Sequence, residues 1–593
     1  MREKQKKILV INLTRMGDIL QSSPLLHVLK LADPDIHISY LAVKGYMDIC
    51  RHIPYIDKLI PFDFNASVAV SKEAIYSLPR RLQETKTFID SLRSEKFDEV
   101  LNLSHSKISA LICYLLGVEK TVGLTLGSEG YRLIRHPWAR YFFTANLNRH
   151  HNRFNLVDIN KGLAYDNEVN TASSGFNPFA IQDYSLKLQQ RNSDGAEALL
   201  KKWTDKENGF KIGLQPGASL ACKRWPAECF VDLGKQLQEN CGASIAVFGS
   251  SSEVGLAHEI TSALGNNTLN LAGKTSIGVL GAVIKKMDLL ITNDTGTQHI
   301  AAAVGTPVLS LCFGSALSHE TGPYGKNHYI METSLSCYPC SFHVECQRYR
   351  CQETVTPQAV YTIAENMLNG KTDVPLESQS TFADVNIWRT DFDDRGMWML
   401  KPVVKRALTA VEYINLCSRL IWQKVLMVSG EESDLAYSLN VTDFIPLIGD
   451  YSEPDIDIFR KELEPTYDSI LRLQSLADDG QRQCQDLQEL WSAGDDDPDF
   501  IRTFGETLGK IDAEITVSGY RLPPVNHLVL DFNFLKQNLQ GDDFISLVIE
   551  TEKLYHRLFT ISSLYKQGLQ DWHALFEQIG WQSIENEETM DVA

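Results

Sequence analysis

Short apolar runs alternate with amphipathic stretches through the first two-thirds of the chain. Ile8–Leu13, Ile36–Val43 and Glu99–Leu103 have the continuous apolar character of strands buried on both faces, and helical patterns separate them. Lys211–Gln215, Ala243–Phe248, Asp288–Thr292 and Val308–Cys312 repeat the arrangement. The alternation predicts α/β architecture with two parallel sheets, each covered by helices. Polar Thr171–Pro178 and the charged helical stretch after it mark a hinge near residues 175–208, and Pro357–Leu368 reads as a closing helix. Further on the period changes. Val404, Leu408, Val411, Ile414, Cys417, Ile421 and Val425 lie three or four apart, and Phe544, Val548, Tyr555, Leu558, Ile561, Tyr565, Trp572, Phe576 and Ile579 extend a second such face. This region is expected to be all-α.

Charge sharpens that division. Residues 1–374 carry 39 Lys+Arg against 36 Asp+Glu, whereas residues 375–593 carry 18 against 39. The acidity belongs to the carboxy-terminal part and argues against nucleic acid or anionic lipid as its partner. A basic protein partner of residues 390–593, or self-association, fits the charge better. With 593 residues, three or four domains are expected. No apolar run approaches the ~20 residues that span a bilayer. Met1–Lys7 is basic but runs straight into a strand without the apolar segment of a secretory signal. A cytoplasmic protein is expected, with at most peripheral contact at the inner face of the membrane.

Three segments carry candidate chemistry. Lys7–Leu13 leads into Thr14-Arg15-Met16-Gly17-Asp18 and a helical pattern, so a turn glycine precedes a carboxylate at a helix start. Lys211–Gln215 leads into Pro216-Gly217-Ala218-Ser219-Leu220-Ala221-Cys222-Lys223-Arg224-Trp225-Pro226, which joins loop N–H groups, a hydroxyl and a cation. That combination suits a diphosphate. Met287–Ile291 leads into Asn293-Asp294-Thr295-Gly296, with Thr297 as a candidate cap and His299 in the helix that follows. Unpaired N–H groups at such a helix start attract anions. Read alone, the same residues also describe an ordinary strand–turn–helix joint.

Together, R-x-G-D-x-L (Arg15, Gly17, Asp18, Leu20), P-G-A-S-x-x-K-R-W-P, N-D-T-G-x-x-H-I-A-A-A-x-G-T-P, Phe313-Gly314 and Thr321-Gly322-Pro323-Tyr324-Gly325 resemble glycosyltransferase family 9. These are the ADP-heptose:lipopolysaccharide heptosyltransferases and their relatives, and the resemblance covers roughly residues 7–370. It implies the GT-B fold of two doubly wound Rossmann-like domains facing across a cleft. The expected division is an acceptor domain at 1–175, a nucleotide-sugar donor domain at 176–370, a linker at 371–389 and an acidic helical domain at 390–593, for which no resemblance is found.

The resemblance further implies an inverting, metal-independent transfer of a sugar, heptose from ADP-heptose above all, onto a glycan or lipid-linked glycan such as the lipopolysaccharide inner core. Asp18 matches the family's general base. Ser219, Lys223, Asp294, Thr295, Gly296 and His299 match donor-binding positions, and Glu253 matches an acid expected at the nucleoside ribose. Arg15 and Gly17 would contact acceptor or phosphate. Simpler readings stand beside these: Glu253 as a first-turn glutamate facing a helix dipole, His299 as a satisfied core histidine, Arg15 as an exposed turn residue. The motif loops contain no Asp-x-Asp, which agrees with catalysis that requires no cofactor. The alternatives keep the fold but change the function: another nucleotide sugar with a different glycan or protein acceptor, or a non-catalytic nucleotide-sugar-binding interaction protein.

Two clusters remain. Cys337, Cys340, Cys346 and Cys351 are spaced C-x2-C-x5-C-x4-C, and in a reducing compartment four such thiols suggest structural zinc or free thiols rather than disulfides. Asp495-Asp496-Asp497-Pro498 reads as a turn and helix start rather than a metal site.

Overall fold

Continuous apolar runs become the central strands of two sheets. The computed structural model describes residues 5–63, 78–165, 176–201, 203, 209–341, 346–371, 382–427, 439–494, 498–539, 541 and 543–581. Asp495–Asp497, residues 175, 202 and 204–208 of the expected hinge and residues 372–381 of the expected linker lie outside them. The chain divides into two compact units, the first made of residues 1–136, 154–164 and 177–404, the second of 137–153, 165–176 and 405–593.

In the first unit, β1 (Lys7–Asn12), β2 (His37–Val43), β3 (Lys58–Phe62), β4 (Glu99–Asn102) and β5 (Thr121–Gly123) form a parallel sheet of order β3-β2-β1-β4-β5. Ile8–Ile11 of β1 are wholly excluded from water, as a central strand covered on both faces requires. A hairpin of β6 (Thr125–Leu126) and β7 (Arg132–Leu133) stands apart from it. The second sheet has eight strands: β8 (Lys211–Gln215), β9 (Ser244–Val247), β10 (Thr268–Asn270), β11 (Leu289–Asn293), β12 (Val308–Cys312), β13 (Tyr329–Thr333), β14 (Val385–Phe392) and β15 (Trp398–Pro402). Its order is β10-β9-β8-β11-β12-β13-β14-β15. This is the expected doubly wound, two-sheet architecture. In both sheets the winding reverses beside the first strand, between β1 and β4 and between β8 and β11. The loops leaving those carboxy-terminal edges open the crevice where ligands bind in such sheets.

Two expected boundaries shift. Residues 385–402, divided in the sequence reading between the linker and the helical domain, form the antiparallel strands β14 and β15 on the edge of the donor sheet. The turn between them uses Gly396 at φ +84°, where a Cβ would meet the Phe179 carbonyl at 2.6 Å. Residues 137–153 belong to the second unit rather than to a first domain ending at 175.

The second unit is all-α, as its three-four periodicity predicts. Its helices include Pro137–Leu147, Ala410–Leu426, Ile456–Ser492, Pro498–Arg521, Asn526–Gln537 and Phe544–Gln570. Gly480 lets the two longest approach closely, since a Cβ there would overlap the Tyr555 ring. Buried Arg140 and Arg557 share the Asp531 carboxylate, and Arg153 pairs with Glu412 at 2.7 Å. Among the described residues no helix is long and apolar enough to cross a membrane.

Candidate functional site

The loop leaving β1 turns at Arg15 into the helix Met16–Gln21, whose third residue reaches back to the Arg15 backbone. Asp18 Oδ2 accepts from the backbone N–H of Arg15 at 3.1 Å, while the Arg15 side chain is exposed. The loop leaving β4 is tied to it, because Leu13 N–H donates to Ser104 Oγ at 2.7 Å.

On the other sheet the loop leaving β11 turns at Thr295 into the helix Gly296–Ala303. Thr295, not Thr297, occupies the cap position; Thr297 Oγ1 instead reaches Gln215. The two helix starts touch. A Cβ on Gly17 would lie 3.1 Å from His299 Cδ2, and one on Gly296 would lie 3.8 Å from Gly17 N and overlap the tip of Met16. Glycine at both places lets the backbones meet.

His299 is buried, and among the described residues its Nδ1 has no hydrogen-bond partner. Burial lowers its pKa against the pull of the Asp294 and Asp18 carboxylates, so the ring is neutral at pH 7. The satisfied-core reading therefore does not describe it.

Asp294 accepts at both oxygens. Its Oδ2 accepts from Lys223 Nζ at 2.8 Å, and its Oδ1 from Gln298 Nε2 at 2.8 Å and Thr321 Oγ1 at 3.1 Å. Burial opposes its ionisation, but the Lys223 ammonium and these donors hold its pKa below the usual carboxylate range. The expected donor lysine and the expected donor aspartate are thus partners of each other.

The Pro216–Trp225 loop is shaped by a residue that sequence reasoning did not single out. Asn293, wholly buried at the end of β11, donates through Nδ2 to the Pro216 carbonyl at 2.7 Å and accepts at Oδ1 from Trp225 N–H at 3.0 Å. One amide closes both ends of the loop. Its one legible signal was an amide ending an apolar strand. Within the loop, Arg224 Nε donates to the Ala218 carbonyl at 2.7 Å, and Ser219 is exposed. Glu253 satisfies its first-turn reading, accepting at Oε2 from Ser250 N–H at 2.7 Å. It also lies against the loop, since any Cβ on Gly217 would overlap its carboxylate.

Burial raises the Cys340 pKa, and the neighbouring Cys351, Cys337, Cys346 and Cys222 thiols raise it further, while hydrogen bonds from the Arg348 and Tyr349 N–H groups lower that of Cys346. Among the described residues no three His, Cys, Asp or Glu side chains are grouped to hold a metal ion.

Comparison with known proteins gives this geometry a context. The model of glycosyltransferase family 9 (heptosyltransferase) matches residues 86–349. Lipopolysaccharide heptosyltransferase 2 of Salmonella typhimurium is 27% identical over 370 residues, which cover 61% of this chain and 99% of that protein. The Escherichia coli K12 protein of the same name is 25% identical over 331 residues, or 54% of this chain and 85% of that one. The solved structure of the E. coli ADP-heptose lipopolysaccharide heptosyltransferase II covers 61% of this chain and 99% of its own at 22% identity, with a TM-score of 0.46.

Proposed function

The region spanning residues 86–349 belongs to glycosyltransferase family 9, and from that premise we propose that this glycosyltransferase moves heptose from ADP-heptose onto the inner core of lipopolysaccharide, with inversion. The carrying observation is the meeting of two helix starts. Asp18 stands at one, and the N–H groups after Thr295 stand at the other, with Gly17 against His299 between them.

The chemistry follows from that opposition. The acceptor hydroxyl gives its proton to Asp18 as its oxygen attacks the anomeric carbon. The bond from that carbon to the diphosphate breaks, and its electron pair leaves on the phosphate oxygen. Loop cations and the N–H groups of the helix Gly296–Ala303 stabilise the departing charge, which removes the need for a divalent metal. A single displacement inverts the anomeric centre. Neutral His299 fills the space between base and donor loop without adding charge.

The test is a panel of nucleotide sugars, ADP-heptose included, incubated with a heptose-free inner-core acceptor. Transfer from ADP-heptose with inverted linkage supports the reading. Turnover with a different nucleotide sugar corrects the donor. Donor binding without transfer to any glycan overturns it in favour of a non-catalytic binding protein.

A further inference from the structure

The buried ion pair of Lys161 and Asp158 takes no part in the chemistry above. The two residues lie one turn apart on the helix Leu156–Gly162, their side chains are wholly shielded from water, and Nζ stands 3.0 Å from Oδ1. Tyr324 completes a cluster with them. Its hydroxyl accepts from Lys161 Nζ at 2.6 Å and donates to Asp158 Oδ1 at 2.8 Å. Lys161 Nζ also donates to the Phe179 and Ile181 carbonyls, at 3.3 and 3.2 Å. Asp158 Oδ2 accepts from Trp398 N–H at 2.7 Å.

Stability alone does not account for such a cluster. Taking both charges out of water costs about what their attraction returns, and apolar residues of similar volume often serve as well or better. What a fully partnered polar cluster adds is direction, because each of its bonds fixes the group at the other end. Here the bonds converge on residues 321–324. Thr321 Oγ1 donates to Asp294 Oδ1 at 3.1 Å, Asn155 Nδ2 to the Gly322 carbonyl at 3.2 Å, and Trp398 Nε1 to the Pro323 carbonyl at 3.2 Å, while Tyr324 is held by the ion pair. The segment is thus fastened to the donor side of the site at its first residue, and to the helix Leu156–Gly162 and the start of β15 at the next three. The same helix reaches the other half of the site. Asn160 Nδ2 donates at 3.4 Å to the carbonyl of Gln21, the last residue of the helix that carries Asp18.

We propose that the helix Leu156–Gly162 is a strut for the transfer reaction, with Asp158, Lys161 and Tyr324 as its positioning residues: it fixes residues 321–324, and Asp294 with them, relative to the helix that carries Asp18. The strut keeps the base and the donor side in the register that a direct displacement needs. A shift of a few tenths of an ångström between them slows the reaction without weakening nucleotide binding. This rests on the family reading of the site, and the test separates the two.

Transfer from ADP-heptose to a heptose-free inner-core acceptor is measured at saturating substrate, well below the melting temperature, for the full-length protein and its Y324F, N160A and Y324F/N160A variants. ADP affinity is measured alongside by calorimetry. Y324F keeps the ring and removes only the hydroxyl; N160A removes only the tie to Gln21. Y324F should lower kcat about tenfold and N160A by less, both with ADP affinity within twofold of wild type. Because the two changes cut one strut, the double variant should be no slower than Y324F, whereas independent losses would multiply. A kcat for Y324F within twofold of wild type overturns the proposal. So do losses that multiply, or an ADP affinity that falls in step with kcat. Should Y324F fail to fold, D158N/K161M takes its place, since it replaces the pair by neutral side chains of similar shape; wild-type kcat in that variant overturns the proposal equally. A wild-type protein that binds ADP but transfers no sugar overturns the reading of the function, and the strut falls with it.

Discussion

Asp18 caps the helix that carries it: its Oδ2 accepts from Arg15 N–H, and among the described residues no hydrogen bond engages Oδ1. One oxygen fixes the carboxylate, and the other is left to accept a further hydrogen bond. Asp18→Asn keeps a capping oxygen and removes the base. Turnover should fall by roughly 10²–10⁴ while ADP affinity and melting temperature stay near wild type. Transfer at a wild-type rate would remove Asp18 from the mechanism.

Gly17→Ala drives a methyl group toward the His299 ring, which is packed and cannot turn aside cheaply. Misplacement of about 1 Å at a reacting centre costs about 10²-fold, so a shift of a few tenths should lower kcat by about tenfold. Gly296→Ala meets only the flexible end of Met16 and serves as the milder control. Steady-state rates of the two variants, compared side by side, decide the point; equal losses would contradict it.

Asp294→Asn leaves the Lys223 ammonium without its counter-charge and should cost about 3 kcal/mol at neutral pH. Because Asp294 titrates lower in the folded chain than in the unfolded one, its contribution is complete above the ordinary aspartate range. It is lost as pH falls below about 4 and through the folded value. Melting temperatures from pH 7 to pH 2 should show a steeper acid limb for wild type than for the variant. Parallel limbs would show that the pair does not couple to folding.

Asn293→Ala strips partners from Pro216 and Trp225 together, and a buried group left unpaired costs about 1–3 kcal/mol. Nucleotide affinity should fall as well, since the loop loses its clamp. Asn293→Asp can still accept from Trp225 but cannot donate to Pro216, so it should fall between Asn293→Ala and wild type. Chemical denaturation and ADP titration of both variants measure the two effects.

Among the clustered thiols, Cys346 should alkylate first. Backbone N–H groups stabilise its thiolate, whereas burial disfavours those of Cys340 and Cys351. Peptide mapping after brief iodoacetamide treatment reads the order. One equivalent of zinc in protein purified without chelators would overturn the expectation and favour the structural-zinc alternative.

How legible all this was depended on range. Strands buried on both faces write unbroken apolar runs, so β1, β8, β11 and β12 stood out from the sequence. β14 did not, because this near-edge strand interleaves Arg389 and Asp391 with its apolar residues and lies next to β13 only through the fold. The site loops were legible as motifs. The Asn293 clamp was not, since it joins residues 77 and 68 positions away. Nor does spacing reveal that Asp294 is consumed by Lys223, a pairing that only the folded loops create. The placement of residues 137–153 was equally hidden, for their helical pattern fits either neighbour.

That placement has a cost during synthesis. The segment holding Arg140 leaves the ribosome long before Asp531, its ion-pair partner 391 residues later. At about 5–20 residues per second, roughly 20–80 s pass before that partner is made. Throughout this interval an arginine destined for burial, and the apolar helix face around it, stay exposed on the nascent chain. The carboxy-terminal helices therefore do more than follow the glycosyltransferase region: they finish a stretch of chain that was translated inside it, and a message cut short before them would yield a protein with an open wound in its middle.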